Sequence, residues 1–192
     1  ARWMTRARLV YLKKKGSAVP RPARVGEFLR SSTAKKVQKK AAPWLRQTFR
    51  NMHQWGVEMP GGAEAQVHWR STIEGLAIEG RIPPVVAFDL DLANMFCNIE
   101  WPEIRTAVRK HFEEASAWFE WSHSQPETIV LPSGGEREVD RGAGQGDVFG
   151  SMASALSLGE RMGEHRERLR PTQAPPGSAL PGAVDEWFID YG

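Results

Sequence analysis

Two acidic residues stand where a chain would deliver them to the ends of strands. Val85-Val86-Ala87-Phe88-Asp89-Leu90-Asp91-Leu92 follows Pro83-Pro84, opens with β-branched residues and carries its acids near its end. A second run, Trp187-Phe188-Ile189, leads into Asp190, and Gly142-Ala143-Gly144-Gln145-Gly146 and a helix-forming stretch lie between the two. A single Asp at a strand end is usually a solvated turn residue. Two that meet can share divalent cations, and a pair of Mg²⁺ or Mn²⁺ ions about 3.5–4 Å apart would activate a hydroxyl and stabilise charge on the attacked phosphate and its leaving group. Phosphoryl chemistry of this kind leaves little covalent work to the protein. Asp91 and Asp190 are accordingly the candidate catalytic residues and metal ligands.

The charge distribution points to the same class of partner. Net charge is only +3, yet residues 1–50 hold fifteen Lys and Arg against one acid, Glu27, whereas residues 51–192 hold eleven against twenty-two. A block of +14 attracts phosphate backbones through counterion release, although a lone basic stretch is as often a solvated arm. At 192 residues and 41% hydrophobic content the chain can bury one sizeable core. No apolar run approaches the roughly 20 residues of a membrane span, and Ala1-Arg2-Trp3-Met4 does not open a secretory signal. Single Cys97 excludes an internal disulfide framework and fits a reducing compartment, so an intracellular protein, cytoplasmic or nuclear, is expected.

The elements that must hold these residues read as an α+β chain. Leu9-Val10-Tyr11-Leu12 predicts a strand, and Lys13-Lys14-Lys15-Gly16 followed by Pro20-Arg21-Pro22 predicts a turn. Helix formers over 25–54 predict two helices broken at Pro43, and 63–79 predicts another that Gly80 ends. Pro102 opens a single helix over 103–121, its apolar residues at three- and four-residue spacing. Residues 128–131, the turn Pro132-Ser133-Gly134-Gly135 and 136–140 predict a β-hairpin. The glycines after it read as a hinge, and Asp147 as the cap of a helix over 148–169.

Five of these segments, in this order, resemble the reverse transcriptase domain of non-LTR retrotransposons. Leu90-Asp91-Leu92-Ala93-Asn94-Met95-Phe96-Cys97-Asn98-Ile99-Glu100-Trp101 is similar to the first palm motif, Arg141-Gly142-Ala143-Gly144-Gln145-Gly146-Asp147 to the second, and Phe188-Ile189-Asp190-Tyr191 to the third. Lys13-Lys14-Lys15 with Arg21-Pro22-Ala23-Arg24-Val25-Gly26-Glu27 resembles the fingers strands, and 56–65 resembles the Gly-rich segment ahead of the first palm strand. The resemblance implies a partial right-hand polymerase: a fingers-like basic region over 1–84, a palm over 85–192 with an antiparallel sheet packed on helices and a fingers-type hairpin at 127–140, and no thumb. It implies RNA-directed DNA polymerisation on an RNA or DNA template with primer, from deoxynucleoside triphosphates and Mg²⁺ or Mn²⁺. Lys14 and Arg21 would grip the triphosphate, Phe96 would lie under the sugar and exclude a 2′-hydroxyl, and Gln145-Gly146 would pack against the base pair being formed.

Departures from the motifs temper that expectation. Tyr191 stands where the family carries a second Asp, and a phenol with its ordinary pKa near 10 is neutral at pH 7, so one negative charge is missing beside the metals. Cys97 replaces the Asp that usually follows the aromatic. The chain ends at Gly192, within what reads as a strand, and is therefore read as a piece of a longer frame. The alternative reading is a catalytically dead retroelement remnant that binds nucleic acid through its basic N-terminal half. A dinucleotide loop at 142–146 fails for want of a preceding strand in a βαβ unit. The five His show no ligand spacing with Cys97, and the Trp residues are read as packing groups.

Overall fold

A computed structural model describes residues 5–13, 15–16, 18, 20–85, 92, 95–144 and 146–169. They form an α+β arrangement of six helices and one four-stranded mixed sheet. Strands β1 (Ala7–Leu12) and β2 (Arg21–Gly26) pair antiparallel, as do β3 (Glu127–Val130) and β4 (Glu136–Val139). The two hairpins join through β1 and β3, which run parallel with Ala7 opposite Ile129, giving the order β2-β1-β3-β4. β2 is an edge strand, which is where Pro22 can be tolerated, because the missing N–H is not asked to serve a further neighbour. The second hairpin closes over the expected turn, with Leu131 N–H donating to the Gly135 carbonyl at 2.8 Å.

Helix α1 (Phe28–Asn51) is continuous across Pro43, contrary to the expected break. Interior proline costs about 3 kcal/mol and one backbone hydrogen bond. Leu45 and Phe49, fully buried two and six residues later, offset that cost by anchoring the second half of the helix in the core. The opposite error occurs at 103–121, where two helices replace one: α4 (Trp101–His111) and α5 (Glu113–Ser122). Between them Phe112 adopts φ −154°, ψ 64° and is buried. Its backbone leaves the helix so that its ring can enter the core. Charges match the break, with Arg109, Lys110 and His111 closing α4 and Glu113 and Glu114 opening α5, each favourable to the local helix dipole.

Helix α2 (Gly62–Ile78) and the short α3 (Met95–Asn98) precede α4, and α6 (Gly150–Leu169) follows the glycine-rich loop. The core brings together Leu45 and Phe49 of α1, Ile104 and Val108 of α4, Phe119 of α5, and Met152 and Leu156 of α6. Lys110 and His111 of α4 meet Glu160 of α6, and Arg161 meets Glu103, so ion pairs flank the apolar seam between those two helices. Among the described residues, no helix is long and apolar enough to cross a membrane. The strands expected at 85–92 and 187–189, which would make the palm sheet, lie outside the described residues apart from Val85 and Leu92, neither of which is in a strand.

Candidate functional site

Three segments far apart in the chain converge where the first hairpin meets α6. Gly142 N–H donates to the Ile99 carbonyl and Ala143 N–H to the Phe96 carbonyl, both at 2.7 Å, which ties the glycine-rich loop to α3 and the residues after it. Trp101 is buried, and its indole N–H donates to the Gly142 carbonyl at 3.0 Å. On the other side the loop lies against β2. Gly146 has φ +94°, and a Cβ there would sit 2.5 Å from the Arg24 carbonyl oxygen. Gly142, at φ +80°, would bring a Cβ within 2.8 Å of the Phe96 and Cys97 carbonyls. Both positions combine left-handed backbone with contact too close for any side chain. The loop expected to be a hinge is thus clamped from both sides rather than free.

Beneath the loop runs a charged network that the sequence did not announce. Glu127, at the start of β3, accepts from Arg24 Nη1 and from Arg30 Nη1, each at 2.9 Å. Arg30 Nη2 also donates to Asp147 at 3.0 Å. The other oxygen of Asp147 accepts from Phe149 N–H at 2.8 Å, and α6 begins one residue later. Asp147 therefore closes the turn that leads into α6, in place of capping a helix that starts at Val148. Arg30 and Glu127 are both buried, so the network fastens β2, α1, β3 and the entry to α6 to one another out of water.

A narrow cleft opens here, lined by Arg24, Arg30, His123, Glu127, Gly144 and Asp147 among others. His123 stacks on Phe119 and meets the edge of Trp101, with ring centroids 5.5 and 4.8 Å away. Burial lowers its pKa to about 4, opposed by a hydrogen bond to the Phe119 carbonyl. The Arg30 charge lowers it further and the Asp147 charge raises it. His123 is neutral at pH 7 and packs as an apolar wall that also holds a polar edge.

Of the residues singled out from sequence, Phe96 holds the loop through its carbonyl, and Gly146 is a loop residue that packs on β2. Phe96 is half-buried and rests on the core, as does Ile99. Cys97 is a free thiol in α3. Arg21 pairs with Leu12 at the start of β2. Strand alternation puts it on the sheet face opposite Arg24. Asp91, Asp190, Lys14, Gln145 and Tyr191 lie outside the described residues, so the meeting of Asp91 with Asp190 is not among the contacts described. Among the described residues no cluster of three His, Cys, Asp or Glu is placed to hold a metal ion. Trp101 packs inside as expected, whereas Trp44 and Trp69 are exposed. No protein-family model and no curated protein matches this chain.

Proposed function

We propose that the chain is the fingers and palm portion of an RNA-directed DNA polymerase of the non-LTR retrotransposon type. The observation that supports this reading most is the convergence of β2, the Phe96 turn and the Gly142–Gly146 loop on one cluster. These are three of the segments singled out by resemblance, and the reading requires them to meet. The parallel join of the 127–139 hairpin to the N-terminal hairpin further supports grouping both as fingers. In this reading the loop and Phe96 form the floor on which a nucleotide and its template base rest, and Arg21 and Lys14 reach the triphosphate from the hairpin. Asp91 and Asp190 would hold Mg²⁺ or Mn²⁺, which would supply charge neutralisation at the phosphate and at the primer hydroxyl. Tyr191 leaves that site one charge short, so turnover is expected to be slow.

Primer extension on an RNA template with deoxynucleoside triphosphates tests the proposal, using the chain as it is, Asp91→Asn and Tyr191→Asp. Extension that Asp91→Asn abolishes and Tyr191→Asp raises is the expected result. Silence in every version, in Mg²⁺ and in Mn²⁺, refutes polymerisation by this chain and leaves nucleic-acid binding without turnover.

A further inference from the structure

We propose that the solvent face of α1 is a docking surface for the phosphate backbone of double-stranded nucleic acid, read without regard to sequence. The inference deepens the proposed function by naming where a duplex lies. Helix α1 has 24 residues, so it is about 36 Å long at 1.5 Å per residue. Its inner face is fixed by buried Arg30, Ala34, Leu45 and Phe49. At about 100° per residue, Lys35, Lys36, Lys39, Lys40, Arg46 and Arg50 fall within an arc of roughly 140° centred away from that face. All six are exposed.

This face is unbalanced in charge. The helix contains no Asp or Glu at all, and among the described residues no acidic side chain pairs with Lys35, Lys36, Lys39 or Lys40. Arg46 donates to the Glu58 backbone carbonyl, which leaves its charge unneutralised. Four neighbouring lysines at i, i+1, i+4 and i+5 repel one another along a helix, a repulsion that a bound polyanion would reverse. Lysine is also the form a sequence-blind contact takes, a point charge on a flexible stem rather than a bidentate fork.

The choice of a duplex follows from what the face lacks. Proteins that hold single strands add aromatic platforms on which unstacked bases lie. Between Lys35 and Arg50 no aromatic side chain falls within the basic arc; Trp44 at its edge is engaged with the Phe112 ring at 5.5 Å, and exposed Phe28 shares the arc only in the first turn, about 10 Å before Lys35 along the axis. A duplex keeps its bases stacked inside and presents phosphates alone, at about one charge per 1.7 Å of axis.

The test is the salt dependence of binding to a mixed-sequence duplex, for the whole chain and for Lys35→Gln/Lys36→Gln/Lys39→Gln/Lys40→Gln. Each lost phosphate contact flattens the slope of log affinity against log salt by about 0.9, so the variant should be shallower by about 3 to 4. Glutamine is a good helix former and the four positions are exposed, so helicity should be retained. If the quadruple variant does not fold, Arg46→Gln/Arg50→Gln should flatten the slope by about 2. A slope changed by less than about 1 overturns the proposal. So does equal competition, at equal phosphate, by a single strand of the same length or by vesicles of anionic phospholipid. Primer extension with an unaltered duplex slope sinks this surface alone, and a flattened slope without extension sinks the polymerase reading alone.

Discussion

Replacing Arg30 with Met should be among the most damaging single changes in the described structure. The guanidinium is 10% exposed and makes two charge-assisted hydrogen bonds, to Glu127 at 2.9 Å and to Asp147 at 3.0 Å. Methionine fills much of the stem's volume but removes the charge. Glu127, 9% exposed, would keep only Arg24, while Asp147, 25% exposed, can recruit water. The main cost is therefore the half-neutralised buried carboxylate, and breaking a buried pair in this way costs about 3–5 kcal/mol. For a chain of this size that is a fall in Tm of roughly 6–20 °C. The companion change Glu127→Leu leaves Arg24 without its carboxylate and Arg30 with Asp147 alone, and combining it with Arg30→Met should recover part of the loss, because Arg30 and Glu127 are then removed together. A double-mutant cycle by urea unfolding should give a coupling of about 1–3 kcal/mol. If Arg30→Met costs less than about 1 kcal/mol, or the two losses simply add, the network does not fasten β2 to the loop and the site loses its physical basis.

Three further outcomes follow from the same geometry. His123 has an ordinary pKa of 6.5 when unfolded and about 4 when folded, so the unfolded state alone takes up the proton between those values. Stability should be unaffected above pH 6.5 and fall by about 1.4 kcal/mol per pH unit below it, on the order of 3 kcal/mol by pH 4, a slope that His123→Gln should reduce. Gly146→Ala should cost about 2–4 kcal/mol, from its left-handed backbone and the Arg24 carbonyl, whereas Gly163→Ala in α6, with open space around it, should stabilise by about 0.5–1 kcal/mol; thermal melts of the two variants separate strain from ordinary helix propensity. Pro43→Ala, at an exposed interior position of α1, should stabilise by about 1–3 kcal/mol in urea unfolding followed by circular dichroism, and a loss of stability would show that the helix depends on the proline.

What could be read from sequence was local. Pro132-Ser133-Gly134-Gly135 between two β-prone runs fixes the second hairpin, because turn chemistry acts within four residues. Helix α2 is bounded by Gly62 and Glu79 much as its flanking glycines suggest. Pro43 and Phe112 misled for a common reason: the core decides both, holding a helix through a residue that disfavours it and breaking one where nothing local demands it. The parallel pairing of Ala7 with Ile129 has no signature in either strand, since it depends on where the intervening helices leave the chain. Arg30, Glu127 and Asp147 were equally hidden. They meet across 97 and 117 residues, and in the sequence Arg30 and Glu127 look like surface charges and Asp147 like a helix cap.

That network also resolves how one basic block can serve two ends. The +14 of residues 1–50 first appears to be a single polycation, which in water would favour an extended arm over a fold. Burial divides it. Arg24 and Arg30 turn inward, where Glu127 and Asp147 from the acidic half neutralise them, and Arg6 pairs with Glu136 of β4. The lysines of α1 turn outward and keep their charge. Glu127, Asp147 and Glu136 are thus engaged in closing the fold, and they do not mask the α1 face. A protein that needed only a solvated arm would gain nothing from this partition. The polyanion site proposed on α1 and the clamped loop beside it would both draw on this partition, so moving a single acid from the inner set to the outer face should weaken the two together.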